Sequence, residues 1–353
     1  MIISFNPEVI YNQDRAIQKE LGKIFRLFHE NNHLIDTKSI SDIFFDDKNQ
    51  YSFDNTEISQ NCLSDEDRKD LKDYICANTE SVTKLHKKHL THLVIGTNLG
   101  EIHPSDAYKA IKERSLIIIE NNPNDGKFIT GIIDKYKFFG ERRSIYTLIK
   151  KVVDNQNLIY HHSGGSGIKD QIEICVNGVY KNIGQFKLLV LFDSDKENKT
   201  YFKKEYKKLI EYLKKRVISD PPTTNDLSYE ENDLVIWHIL FKRSIENYVP
   251  LSVIFANITN LNPNHQINLQ ALTPDEMDFI QYYKPIGKPS NYYISIGKDK
   301  VKEQFPEMFL SNFPPSELED RCHHHKVDIL YPDGTIDQVS EIEQILLKIA
   351  KII

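Results

Sequence analysis

Two aspartates separated by one residue, Asp193 and Asp195, follow an apolar run at residues 188–192. Such a run is typical of a buried strand in a parallel sheet, and side chains at positions i and i+2 of a strand lie on the same side. Both carboxylates can therefore face one point beyond the strand, at the edge where α/β proteins bind ligands. Because carboxylates this close repel each other, the pattern predicts a divalent cation, Mg²⁺ or Mn²⁺, between them.

Acidic residues also follow two further apolar runs. Residues 115–119 lead into Glu120, and residues 234–241 lead into Glu246. A single Asp-x-Asp is more often an acidic turn than a site, but three strands that end in acid indicate shared chemistry at one edge of a parallel sheet. Divalent ions there would polarise a phosphodiester and generate hydroxide for in-line attack. Lys242 would then stabilise the charge that develops on the phosphate.

Helical periodicity alternates with short strand-like runs along the chain. Two further strands are predicted, at residues 158–160 and 171–176. Helices are predicted at residues 14–31, from Ser64 onwards, at residues 142–153 and at residues 201–218. Ser244 is a suitable helix N-cap, which would place Glu246 in the first turn. The alternation of strands and helices predicts an α/β fold.

Composition restricts the classes of function. The chain has 353 residues, of which 40% are hydrophobic and 27% charged, which is typical of a globular protein with two or three structural units. No apolar run is long enough to span a bilayer, residues 1–12 do not resemble a signal peptide, and the four cysteines form no Cys-x-x-Cys pair. We therefore expect a cytoplasmic protein with no membrane partner. The net charge of −6 implies that nucleic acid could bind only through a local patch, such as the lysine-rich helix at residues 201–218.

Other motifs give weaker signals. Cys322 and the three histidines after it look like a metal motif, but adjacent residues rarely face one ion, so we expect a surface or interface segment. The glycines at residues 164–167 do not have the spacing of a dinucleotide-binding loop. Paired carboxylates also serve glycosidases, but those enzymes do not require Asp-x-Asp at one strand end.

The order of the acidic strand ends resembles the TOPRIM domain, the metal-binding catalytic fold of topoisomerases, bacterial primases and OLD-family nucleases. In that family one strand ends in Glu-Gly with an Asp a few residues later, and a second strand ends in Asp-x-Asp. Residues 117–120 match the first pattern and residues 191–195 match the second. Residues 241–248 look like the corresponding segment of OLD-like and stand-alone TOPRIM proteins of bacterial defence operons. The resemblance covers residues 115–250.

The resemblance implies a TOPRIM-like (Rossmann-like), mostly parallel sheet flanked by helices in residues 113–250. A mainly helical region at residues 1–112 would precede it, and a mixed, largely helical region at residues 251–353 would follow. Two departures from the family pattern matter. Asn121 replaces the usual glycine, and Asp125 matches the later acid only if one extra residue is allowed.

The activity implied by the resemblance is that of a metal-dependent endonuclease that cleaves DNA or RNA. The implied ligands of Mg²⁺ or Mn²⁺ are Glu120, Asp125, Asp193, Asp195 and Glu246, and Lys242 joins Glu120, Asp193, Asp195 and Glu246 as catalytic residues. Because the chain has no Walker A loop, the resemblance implies an anti-phage effector that a partner ATPase controls. Formation of a homodimer is a further possibility. The alternatives are a non-catalytic TOPRIM-fold interaction protein and a nucleotidyltransferase or primase-like enzyme.

Overall fold

The computed structural model is an α/β fold in which helices flank parallel sheets. Among the helices that it describes, none has both the length and the apolar character needed to cross a bilayer. The structure describes residues 1–28, 33–77, 82–199, 201–258, 261, 263–283, 298–331 and 334–353.

The N-terminal region contains a small parallel sheet that the sequence patterns did not reveal. Its strands are β1 (Ile2–Phe5), β2 (Leu34–Ile35) and β3 (His92–Ile95), in the order β2-β1-β3. The helices around it are α1 (Pro7–Ile10), α2 (Arg15–Leu27), α3 (Thr37–Phe44), α4 (Glu57–Cys62), α5 (Asp65–Ala77), α6 (Lys84–His89) and α7 (Pro104–Lys112). The strands are too short and too uniformly apolar to show a periodic pattern. Residues 29–31 of the predicted first helix lie outside the described residues.

The central sheet has four parallel strands in the order β5-β4-β6-β7. These are β4 (Ser115–Ile119), β5 (Leu158–His162), β6 (Leu188–Phe192) and β7 (Ile236–Ile239). The connecting helices are α8 (Asn124–Tyr136), α9 (Arg143–Asp154), α10 (Ile168–Asn177), α11 (Gly184–Lys187) and α12 (Lys204–Lys214). All four strands lie at predicted positions. β4, β6 and β7 are buried on both faces, as is typical of a parallel sheet, whereas β5 is an edge strand that ends in exposed His161 and His162.

The strand predicted at residues 171–176 is wrong, because this segment belongs to helix α10. Ile168, Ile172 and Cys175 are buried on one side of the helix at spacings of four and three residues. The short apolar run that suggested a strand is therefore part of a longer helical stripe.

The C-terminal region is mostly helical and returns to the central sheet. It contains α13 (Leu251–Asn257), α14 (Pro263–Gln270), α15 (Pro274–Phe279), α16 (Lys298–Met308), α17 (Pro315–Cys322), the antiparallel pair β8 (Val327–Leu330) and β9 (Ile336–Val339), and α18 (Glu341–Ile352). Helix α18 packs against β6 and β7. Buried Glu341 in its first turn accepts hydrogen bonds from His238 Nε2 at 3.0 Å and from the Phe241 backbone N–H at 2.6 Å. These contacts fix the C-terminal helix to the end of β7.

The two faces of the central sheet bury two hydrophobic clusters. Ile117 and Ile119 of β4 belong to the cluster that also contains α8, α9 and α18, whereas Leu116 and Ile118 belong to the cluster with α2, α7, α10 and α12. This division follows from the alternation of side chains along a strand. Both clusters include residues from the N-terminal region, so the proposed division after residue 112 does not separate hydrophobic cores, and neither does the one after residue 250.

Helix α8 approaches the end of α16 so closely that only glycine fits at position 131. A Cβ added to Gly131 would lie 2.6 Å from the backbone oxygen of Phe309. We expect Gly131→Ala to lower the free energy of unfolding by about 2 kcal/mol because overpacking outweighs the helix preference of alanine. Urea unfolding monitored by circular dichroism measures the change. Gly167→Ala is the control, because a Cβ there meets no described atom within 4 Å. Equal stability of both variants would contradict this packing.

Candidate functional site

The carboxyl ends of the adjacent strands β4 and β6 bring Glu120 and Asp193 together. Ile118 of β4 pairs with Val190 of β6, so the residues that follow the two strands emerge side by side. The backbone N–H of Asp193 donates to Glu120 Oε1 at 3.2 Å. Both side chains are half-buried at the sheet edge. The structure thus places these two predicted site residues in direct contact.

Asp195 joins them through helix α12. The Tyr206 hydroxyl lies 3.3 Å from Glu120 Oε1 and 3.3 Å from Asp195 Oδ2, and the Lys203 ammonium contacts the same Asp195 oxygen. The single phenol proton is therefore shared between two carboxylate oxygens at equal distance. Asp195 itself has a left-handed backbone (φ 50°), and its N–H donates to the Arg243 carbonyl at 2.9 Å.

Asp125 closes the turn that follows Glu120. Its Oδ2 accepts from the backbone N–H of Asn121 at 2.9 Å, and its own N–H donates to the Asn121 carbonyl at 2.8 Å. The aspartate is buried in the first turn of α8. This reciprocal pair of hydrogen bonds closes the turn without a glycine at position 121.

Glu246 lies in a short 3₁₀ helix, Ile245–Tyr248, after β7, as the Ser244 cap predicted. Ser244 and Asn247 form a capping box that sets the position of this turn. Glu246 lines a small cleft of about 60 Å³ together with Asp193 and Asp195. The sequence therefore identified the acidic walls of the cleft.

The cations that line this cleft are not the one that the sequence analysis selected. Arg243 and exposed Lys302, which lies on α16, form part of its wall. Arg243 also donates from one guanidinium nitrogen to the Lys196 carbonyl at 2.9 Å. Two positive side chains thus line the cleft with the acids. The sequence pattern of the acidic strand ends could not identify Lys302, because this lysine comes from the distant C-terminal region.

Burial and mutual repulsion raise the pKa values of the acids. Burial, followed by the charges of Glu120, Asp125, Glu246 and Asp195, raises the pKa of Asp193 well above its usual value. Burial and the charges of Asp195 and Asp125 raise the pKa of Glu120 to about 7. Burial raises the pKa of Asp125 to about 7, opposed by the Asn121 N–H and helped by the charge of Glu246. Burial and the neighbouring acids therefore disfavour the ionised carboxylates, and the surrounding protein groups do not fully offset this cost.

A hard divalent cation suits such a donor set, because Mg²⁺ and Mn²⁺ prefer carboxylate oxygens. No three of the described sheet-edge acids have ligand oxygens that all lie within 4.8 Å of one another. Within the described part of the chain, the single group of three side chains whose ligand atoms all lie within 4.8 Å of one another is Asp278, His324 and His325. Rotation of the acidic side chains towards an ion would be needed to complete a site at the sheet edge.

A glycine-rich loop covers Glu120, which the sequence analysis did not anticipate. The Gly164 N–H donates to the backbone carbonyl of Glu120 at 3.1 Å. A Cβ added to Gly165 would lie 3.0 Å from Glu120 Oε2. Gly165 therefore allows the backbone to approach the carboxylate, a role that the dinucleotide motif did not predict.

The catalytic role predicted for Lys242 is wrong. Its side chain is fully buried, and its ammonium contacts Asp278 Oδ1 and lies 3.0 Å from the Arg321 carbonyl. The neighbouring Arg243 faces the cleft instead. Sequence position alone could not decide which of the two adjacent cations reaches the acids.

Lys242 belongs to the Asp278 cluster, in which Lys242, Arg321, His324 and His325 surround one buried carboxylate. Arg321 donates to Asp278 Oδ1 at 2.9 Å, and the Nε2 atoms of His324 and His325 lie 2.7 and 2.5 Å from Oδ2. His323 is exposed and His324 and His325 are half-buried, so this predicted surface segment also packs onto a buried carboxylate, and Cys322 is buried. The ion pairs with Lys242 and Arg321 already offset the single carboxylate, so a divalent ion here would be repelled.

The lysine-rich helix is less exposed than predicted. Lys214 is buried and forms ion pairs with Glu230 at 2.8 Å and Asp233 at 3.8 Å, and Lys207 pairs with Asp220 at 3.1 Å. These lysines hold the loop between α12 and β7. They leave a smaller positive surface for nucleic acid than the sequence suggested.

Comparison of the chain with protein-family models, with curated proteins and with solved structures found no match.

The raised pKa of Glu120 leads to a pH dependence of stability. Between its unfolded value near 4.5 and its folded pKa of about 7, the folded protein binds more protons, so this contribution to stability falls as pH rises. In chelator we expect Glu120→Gln to be more stable than the wild type by about 2 kcal/mol at pH 8, with the difference vanishing near pH 4. Urea unfolding at both pH values measures it, and a difference independent of pH would contradict the raised pKa of Glu120.

The Asp278 cluster predicts a large effect of one substitution. Asp278→Asn removes the counter-charge of buried Lys242 and Arg321, and we expect the free energy of unfolding to fall by about 3 kcal/mol. Asp275→Asn on the same helix is the control, because Asp275 forms an exposed pair with Lys199. Its loss should change stability by less than about 1 kcal/mol, as measured by denaturant unfolding. Similar effects of the two substitutions would show that the cluster is not a structural charge centre.

Proposed function

We propose that this protein is a metal-dependent endonuclease of the TOPRIM type that cleaves nucleic-acid phosphodiesters. One observation carries the proposal: Glu120, Asp193, Asp195 and Glu246 gather after neighbouring parallel strands, and Glu120 and Asp193 have pKa values raised by burial and mutual repulsion. Uncompensated carboxylates at this edge of a sheet are suited to a divalent cation. The resemblance of the strand ends to the TOPRIM pattern supports the same assignment.

The chain's own residues have separable roles in this proposal. Asp193, Asp195, Glu120 and Glu246 would hold Mg²⁺ or Mn²⁺, and Asp125 would act by fixing the turn behind Glu120. When bound, such ions stabilise phosphate charge and lower the pKa of water. Tyr206 orients Glu120 through its hydroxyl group, which lies 3.3 Å from Glu120 Oε1. Arg243 and Lys302 would bind the phosphodiester in place of Lys242.

The biological setting is proposed from the resemblance alone. The order of the acidic strands and the segment at residues 241–248 is similar to stand-alone TOPRIM proteins of bacterial defence operons. Because the chain contains no Walker A loop, a separate ATPase subunit would control the nuclease.

One observation favours a second function, that of a non-catalytic interaction protein with this fold. Lys203 already pairs with Asp195, and Tyr206 spans Asp195 and Glu120. These contacts could satisfy the acids without any ion and would then be purely structural. The two functions predict different effects of a divalent ion. A nuclease should bind the ion and cleave nucleic acid in its presence, whereas an interaction protein should do neither.

The decisive experiment incubates the purified protein with DNA and RNA, single- and double-stranded, in Mg²⁺ or Mn²⁺, with and without chelator. We expect metal-dependent cleavage by the wild type and at least a 100-fold loss in Asp193→Asn, because the central acid of the cluster is removed. Asp170→Asn, an exposed aspartate on α10, is the matched control and should retain full activity. Full activity in Asp193→Asn would refute the site.

The two glutamates give a finer comparison within the same assay. Glu120→Gln should be nearly inactive, whereas Glu246→Gln should be impaired and partly restored by higher Mn²⁺, since Glu120 contacts the central acids directly and Glu246 lines only the cleft wall. If no nucleic acid is cleaved and Mn²⁺ changes neither the melting temperature nor calorimetric heat, the interaction protein becomes the better assignment.

A further inference from the structure

A second, larger cavity lies at the opposite edge of the sheets. Its volume is about 730 Å³, and it is bordered by the amino-terminal ends of strands, including His92 of β3 and Ile236 of β7. Phe186, just before β6, also lines it. Strands of four or five residues separate this edge from the acids by about 15 Å. The cavity is therefore distinct from the acidic cleft.

Four lysines line this cavity, and we refer to it as the lysine cavity. Lys84, Lys87 and Lys88 come from α6, and Lys351 comes from α18. Lys84 has no ion-pair partner within the described chain, and Glu231 is the one acidic residue among the lining side chains.

Two of these lysines are tied to acids beside the cavity. Lys87 pairs with Asp36 at 2.6 Å, and Lys88 pairs with Asp337 at 3.0 Å. Asp36 and Asp337 form these ion pairs but do not line the cavity themselves. The cavity wall itself thus carries an excess of positive charge, which favours an anionic ligand.

Aromatic residues and a buried histidine complete the wall. Phe186, Tyr229 and Tyr331 line the cavity, and the Lys88 ammonium lies 3.9 Å from the centre of the Tyr331 ring. His89 is 3% exposed, and its Nε2 has no hydrogen-bond partner among the described residues. Burial, followed by the charge of Arg142, lowers the pKa of His89 to about 4, so its imidazole is neutral at pH 7. A neutral imidazole can donate to or accept from an uncharged polar group.

We propose that the lysine cavity binds a nucleotide, with phosphates on the lysines of α6 and the base among the aromatic side chains. The volume falls within the range of small-molecule sites and is much larger than a phosphate ion requires. Lysines bind phosphate through charge-assisted hydrogen bonds, and planar bases stack on aromatic rings. Neither feature depends on the acidic cleft, so the inference stands apart from the proposed nuclease activity.

The test is calorimetric titration of the full chain with ATP, adenosine and inorganic triphosphate, all in excess chelator. Chelator removes any metal-mediated binding of phosphate at the acidic cleft. We expect ATP to bind at least about tenfold more tightly than either adenosine or triphosphate, because only ATP uses both the lysines and the aromatic wall. Triphosphate binding as tight as ATP would overturn the nucleotide assignment, and so would the absence of ATP binding.

Paired variants locate the site. Lys84→Gln/Lys87→Gln should weaken ATP binding about tenfold or more, because both lysines are exposed on the cavity side of α6. Lys19→Gln/Lys69→Gln removes the same charge from exposed positions on α2 and α5 and should leave affinity unchanged. Asp193→Asn should also bind ATP like the wild type, which separates this site from the proposed nuclease. Equal weakening by the two lysine pairs would show that only net charge matters and would refute the cavity.

Discussion

The repulsion between carboxylates at the carboxyl edge of the central sheet is the constraint on which the rest of the site depends. Parallel strands necessarily deliver the residues that follow them to one edge, so Glu120 and Asp193 meet because β4 and β6 are neighbours. The fold moderates this repulsion with Tyr206 and Lys203, but the pKa of Asp193 stays well above its usual value through burial and the nearby acids. A cation would favour ionisation of these carboxyl groups by offsetting their burial and mutual repulsion, which is the basis of the proposed nuclease function.

A second set of charges fixes the wall opposite these acids. Asp278 receives contacts from Lys242, Arg321, His324 and His325, and the Arg243 N–H donates to its backbone carbonyl at 2.9 Å. Burial opposes its charge, but the His325 hydrogen bond and the neighbouring cations hold the pKa of Asp278 well below its usual value. Because this cluster anchors the segment after β7 to α15 and α17, it also fixes the backbone that presents Arg243 and Glu246 to the cleft.

The two edges of the sheets have opposite electrostatic character. Acids dominate the carboxyl edge, whereas lysines and aromatic residues line the cavity at the amino edge. Helix α18 connects the two regions, since Lys351 lines the cavity and Glu341 at its other end binds the segment after β7. Metal-dependent chemistry and nucleotide binding would thus occupy separate edges of one sheet framework.

The sequence by itself determined the four central strands and the acids that follow them. Both are local properties: an uninterrupted apolar run produces a buried parallel strand, and the next residues must emerge at its carboxyl end. It did not determine α10, because a six-residue apolar window has no clear period, nor the short strands of the N-terminal sheet. Only the tertiary structure decided that Arg243 and Lys302 face the acids while Lys242 is buried, and that Asp278 unites histidines 46 and 47 residues away. The reason is physical: side-chain direction and long-range charge pairing depend on how segments pack, and no spacing along the chain encodes that packing.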